Sequence, residues 1–125
     1  MGEPGSASGE PSCPPLLCNQ SEDSLTLLIQ VPRIQPQSLQ GDLSPLGYRL
    51  RFSTQESVYS FLLQFAPGNT LSTSEPVISI SSDNAVIELA KSPESRGHWR
   101  EWYYGLNHDS LEYFVSFFLG KVVCQ

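Results

Sequence analysis

The chain has 125 residues, 13 acidic against 7 basic, and a formal charge of -6. That length suits one domain with tails, and that charge argues against a phosphate-backbone ligand, which is held by clustered Lys and Arg. Charged residues are only 16% of the total, so Ser, Gln, Asn and Thr supply most of the polar surface, as in a β-rich domain with many turns.

Residues 1–10 carry no basic flank and no apolar run, so no secretory signal is read there and a cytosolic or nuclear home is expected, the cytoplasm being favoured. Residues 1–22 are mostly Gly, Pro, Ser and Glu, too poor in large apolar groups to offset the entropy of ordering, and read as a disordered leader. Cys13, Cys18 and Cys124 show no zinc-type pairing. A Cys13–Cys18 disulfide would close a short unstructured loop, so free thiols are expected.

The first strand is predicted over residues 25–31, with Leu25, Leu27, Ile29 and Val31 on one face, and Pro32 ends it. Pro36 opens at most one helical turn. Residues 41–43 are a candidate short strand. Tyr48, Leu50 and Phe52 alternate with Arg49, Arg51 and Ser53 in the next strand, which carries a basic outer face. Residues 58–65 follow, with Tyr59, Phe61, Leu63 and Phe65 pointing one way. Pro67-Gly68-Asn69 is a turn. Residues 77–81 and 85–91 form a hairpin about Ser82-Asp83-Asn84. In the second arm Ala85, Ile87 and Leu89 share a face, and Ser92-Pro93 stops the ladder. With no convincing amphipathic helix, the pattern predicts an antiparallel sandwich or barrel. The apolar run 113–119 is too short to span a bilayer as a helix. It reads as an added strand or helix covering the sandwich, or as a chain end outside any packed structure, the second favoured.

No catalytic constellation emerges. His98 and His108 lack further ligands at metal-binding spacing and read as solvated turn residues. There is no Gly-x-Ser-x-Gly elbow and no phosphate-cradling glycine loop, and Glu94 and Glu101 lie in charged, exposed sequence. No enzyme activity, metal or cofactor is expected. Arg49 and Arg51 make a small basic stripe on an acidic domain. Either they steer an acidic partner or they are solvated residues that guard a sheet edge. Trp99, Trp102, Tyr103 and Tyr104 gather aromatic area as protein contacts do. For Trp99 core covering is favoured, while Trp102 and Tyr103 are open between core and partner.

From Asp23 to about Glu112 the sequence resembles the CS, or p23-like, domain of the PIH family of cytoplasmic dynein-arm assembly factors. The resemblance is carried by Asp23-Ser-Leu-Thr-Leu-Leu-Ile-Gln-Val-Pro, Ile34-Gln-Pro-Gln-Ser-Leu, Glu75-Pro-Val-Ile-Ser-Ile-Ser-Ser, Ile87-Glu-Leu-Ala-Lys-Ser-Pro-Glu-Ser and Gly97-His-Trp-Arg-Glu-Trp-Tyr-Tyr-Gly. It implies an all-β sandwich of about seven strands over residues 23–105, followed by an apolar tail at 106–125. It also implies a non-catalytic, monomeric adaptor working with Hsp90 or Hsp70 chaperones on axonemal dynein heavy and intermediate chains, for cilia and flagella, without nucleic acid or membrane. Lys91 matches the CS lysine after Ile-x-Leu-x and joins Arg49, Arg51, Trp99, Trp102 and Tyr103 as a candidate partner contact. The family's PIH1 module is not seen, and the end after Glu112 departs from the acidic continuation expected, so the resemblance suggests a truncated or alternatively terminated form. Two other readings stand beside it: a generic sandwich interaction module, and a small enzyme or carrier with a site inside the sandwich.

Overall fold

The computed structural model describes residues 10–114 and the backbone of residues 121–122. Its strands are β1 (Leu16–Gln20), β2 (Ser24–Ile29), β3 (Gln40–Ser44), β4 (Gly47–Ser53), β5 (Val58–Phe65), β6 (Val77–Ile80), β7 (Ala85–Ala90), β8 (Trp102–Gly105), β9 (Glu112–Phe114) and β10 (Lys121–Val122). They form two five-stranded antiparallel sheets, in the orders β10-β1-β2-β7-β6 and β3-β4-β5-β8-β9. The fold is an all-β sandwich, one of the two architectures the alternating pattern left open and the one the family resemblance implied.

That alternation sets which side chains meet. In one sheet Leu25, Leu27 and Ile29 of β2 lie beside Ala85, Ile87 and Leu89 of β7. In the other, Tyr48, Leu50 and Phe52 of β4 lie beside Phe61 and Leu63 of β5. All are buried in one cluster between the sheets. Each such large side chain contributes about 1.5–3 kcal/mol of transfer free energy. The predicted turn at Pro36–Ser38 is a short 3-10 helix, and residues 41–43 are indeed part of a strand, β3.

The leader differs from expectation. Leu16 and Cys18 of β1 are buried in the core, and β1 pairs with β2 along its whole length. Before it, Ser12 donates its N–H to the Val58 carbonyl at 3.0 Å and accepts from the Ser60 N–H at 2.9 Å, adding a parallel bridge to the free flank of β5. The buried Tyr104 hydroxyl donates to the Pro14 carbonyl at 3.1 Å. Residues 10–20 therefore run from one sheet to the other as a strap. Composition averaged over residues 1–22 hid this, because two apolar side chains two residues apart are enough when a neighbouring sheet edge supplies the hydrogen bonds. Cys13, held in that strap, is disulfide-bonded rather than a free thiol. Cys18 is free, and burial pushes its thiol pKa up.

After β8 the chain also continues in order. A 3-10 turn at His108–Ser110, with Asn107 accepting from the Asp109 N–H, leads into β9. Gly105 permits this return, since a Cβ there would stand 2.5 Å from the Ser110 carbonyl oxygen. Phe114 then stacks on Trp102, with ring centroids 4.6 Å apart. Of the predicted tail, residues 106–114 belong to the folded unit and β10 pairs with β1. Most of the apolar run at 113–119 lies outside the described residues.

Candidate functional site

Two regions hold the side chains singled out by sequence, and the structure treats them oppositely. The first lies at the end of β7, where the chain leaves the sheet as Lys91. Its backbone N–H bonds to the Asp23 carbonyl at 2.8 Å, and the side chain turns inward to 5% exposure. The ammonium donates to Gln20 Oε1 at 2.8 Å, to the Ser21 carbonyl at 2.6 Å and to the Gly97 carbonyl. Its Nζ also lies 5.1 Å from the centre of the Trp99 ring, a cation–π distance. Gly97 has φ of 112°, a left-handed geometry that suits glycine and carries the chain through this turn.

An ammonium has three donors, and all three are used here. Burial lowers the pKa of Lys91, while Asp23 and Glu22 act in the opposite direction. Gln20 completes the cage, its Oε1 accepting from the Trp99 N–H at 2.9 Å and its Nε2 donating to the Trp99 carbonyl at 3.0 Å. Trp99 is buried, its indole donating to the Ser95 carbonyl at 2.7 Å and its ring meeting Phe65 edge-on. Thr70, Ser92 and Ser95 form a hydroxyl network alongside, with Thr70 Oγ1 2.6 Å from Ser92 Oγ and 2.9 Å from Ser95 Oγ. Lys91, Trp99 and Trp102 thus face inward, and the fold leaves no exposed ammonium at Lys91 for a partner. Trp99 covers the core, the favoured sequence reading.

The second region is the outer face of the β3-β4-β5-β8-β9 sheet. Since Tyr48, Leu50 and Phe52 point in, Arg49 and Arg51 point out, and both are exposed. Arg49 is opposite Asp42 and Leu62 in register, and Arg51 is opposite Gln40 and Ser60. Among the described residues the one ion pair joins Arg96 to Asp23, so neither arginine is spent internally. A groove of about 650 Å³ runs past Arg49, Arg51, Asp42, Ser60 and Asn107. Another, of about 340 Å³, continues past Arg49 to Leu62, Gln64 and His108. Leu62 is only 6% exposed despite pointing away from the core. Farther along the same face, Tyr103 leans on Tyr113, which is 54% exposed, with centroids 5.3 Å apart.

This face therefore joins Arg49, Arg51 and Tyr103 from the sequence reading with Leu62 and Tyr113, which that reading missed as surface contacts, and with His108, read there as a solvated turn residue and found exposed in the His108–Ser110 turn. Tyr113 was assigned to the tail, whereas Leu62 was recognisable as the outward apolar residue between inward Phe61 and Leu63. Two planar guanidiniums can take carboxylates in bidentate fashion, and the tyrosines offer rigid, amphipathic contact area. Among the described residues no group of three His, Cys, Asp or Glu is placed to hold a metal, and no helix is long and apolar enough to cross a membrane.

No family model matches the chain. Known proteins do. It is 80% identical over 112 residues to human protein kintoun, a match covering 90% of the chain and 13% of that protein. Mouse protein kintoun is 63% identical over 132 aligned residues, covering 100% of the chain and 16% of the relative. Protein kintoun of Xenopus tropicalis is 36% identical over 102 residues, covering 80% of the chain and 13% of the relative. The chain thus spans a small part of the length of these relatives, and within that part it is a homologue of protein kintoun.

Proposed function

We propose that this chain is a non-catalytic adaptor domain for the cytoplasmic preassembly of axonemal dynein arms, acting in the manner of a CS-type co-chaperone beside Hsp90 or Hsp70. The observation that carries the reading is the 80% identity to protein kintoun over 112 residues. A sandwich whose outer face bears tyrosines and two arginines that make no ion pair among the described residues supports it, since such a surface serves recognition and association rate. On this reading the contacts are Arg49, Arg51 and Tyr103. Lys91, Trp99 and Trp102 position the frame that holds them.

The test is capture from the cytosol of ciliated cells, with dynein heavy and intermediate chains and both chaperones quantified. The Arg49→Glu, Arg51→Glu double variant is expected to retain the wild-type melting curve and to lose about tenfold or more in dynein recovery, as desolvated charge pairs do at interfaces. Equal recovery by the variant would remove these arginines from the contact. Recovery of neither dynein nor chaperone by the unaltered chain would overturn the reading.

A further inference from the structure

We infer that the free edge of β6 is a docking site for an extended segment of another polypeptide, apolar and basic in alternation, which adds itself as the next strand. This surface is separate from the arginine face. β6 is the last strand of its sheet, and among the described residues none pairs with its far side.

The register shows which backbone groups are free. The Ser81 N–H bonds to the Asn84 carbonyl at 2.9 Å, so that pair is a hydrogen-bonded rung. Rungs alternate along an antiparallel ladder. Ser79 opposite Val86 and Val77 opposite Glu88 are then the next bonded pairs, and Ile78 and Ile80 turn their N–H and C=O groups outward. The far side of β7 agrees, because the Lys91 N–H bonds to Asp23 on the β2 side, and Ala90 accepts from Ser72 on the β6 side at 2.8 Å. Among the described residues no backbone bond outside the ladder engages residues 77–80.

The side chains make the edge receptive. Val77 is 62% exposed and Ile78 is 38% exposed, and residues 76–82 carry no charge, lacking the lysine that commonly guards an open edge. Ile78 faces the same way as its buried partner Ile87 and lines a groove of about 470 Å³ with Leu43, Pro45, Tyr48 and Pro76. That groove separates β6 from β3, the edge strand of the opposite sheet. A strand added to β6 would place alternate side chains into it while bonding to Ile78 and Ile80, so backbone and pocket act on one ligand, as in strand-addition recognition.

Charge selects the occupant. Glu75 lines the groove, Glu88 stands beside Val77 on the outer face, and Asp83 is exposed at the hairpin tip. Among the described residues the base beside this strand is Arg33, whose backbone N–H bonds to the Ser82 carbonyl beyond the strand end. Three acids against one base around an uncharged strand favour a segment carrying lysine or arginine. They disfavour a second copy of this chain, which would bring the same acids together.

The experiment titrates the full chain with a short synthetic peptide of alternating valine and lysine, followed by amide exchange at Ile78 and Ile80. Binding with slowed exchange at both amides is expected, about tenfold weaker for the glutamate-for-lysine peptide, and absent when alternate peptide amides are N-methylated. The chain variant is Ile78→Pro, which removes an outward donor without taking one from the β7 ladder and is tolerated on an edge. It is expected to keep the fold and lose binding by about tenfold or more. Should it unfold, the N-methylated peptide tests the same bonds on unaltered protein. Undiminished binding of that peptide, absence of binding by the parent peptide, or β6-dependent dimerisation would each overturn the inference. Arg49→Glu, Arg51→Glu is expected to leave peptide binding unchanged, which separates this result from the dynein capture.

Discussion

Lys91 shows how position in the sequence can mislead about a side chain's role. Its place after Ile87-Glu88-Leu89-Ala90 is that of the residue that leaves a strand, normally solvated, yet three carbonyl-type acceptors and the Trp99 ring enclose it. Lys91→Met keeps the volume and removes the donors, leaving Ser21 and Gly97 carbonyls without them. A loss of about 2–4 kcal/mol is expected, read as a lower urea midpoint with unchanged slope. Lys91→Glu would set a carboxylate against those acceptors and is expected to unfold the domain. Loss of partner binding in that variant would report stability, so Arg49 and Arg51 are the residues on which to test contact.

At the scale of elements, the strap of residues 10–20 is the part that local reading placed least well. Strand β5 could be delimited at both ends, because Val58–Phe65 is a long alternating run between turn formers. β1 has only Leu16 and Cys18 to mark it, and its hydrogen bonds come from β2. A chain begun at Asp23 is expected to lose several kcal/mol of stability, since it gives up two core side chains, the Tyr104–Pro14 bond, the Cys13 disulfide and the cover on β2. Circular dichroism melts of the two chains check this, and equal midpoints would make the strap dispensable. The same logic applies to β9: Phe114 is placed by its stacking on Trp102, information that a stretch of apolar letters does not contain.

For the whole molecule, buried ionisable groups shape the response to alkali. Burial lifts the Tyr48 pKa from 10.0 to about 12 and raises that of Tyr104 as well. For an acid whose pKa is raised by folding, the unfolded state releases its proton first. The stability it contributes is complete below pH 10 and is lost as pH climbs toward 12. Lys91 has the opposite sign. Its pKa is lowered in the fold, so the cost of burying the ammonium is present at neutral pH and is relieved as pH rises toward 10.5. Cys18, raised from 9.0 by burial, has the sign of the tyrosines and starts the loss earlier, so urea midpoints are expected to fall from about pH 9 and more steeply above pH 10, with the Lys91 relief opposing the first part of the fall. Tyr48→Phe is expected to flatten the falling limb, and an unchanged limb would show that the Tyr48 phenol does not drive it.

Local pattern was enough for the antiparallel all-β class and most of the inward face, because a period of two and well-placed Pro, Gly and Asn are instructions read without knowing the neighbours. The tertiary structure alone decided which outward residues became a surface. Arg49 and Arg51 stayed free while Lys91 and Trp99 were enclosed, and Ile78 was left on an open edge. Those outcomes depend on which strands lie side by side and what packs across the sandwich, distances between residues far apart in the chain that no short window of sequence encodes.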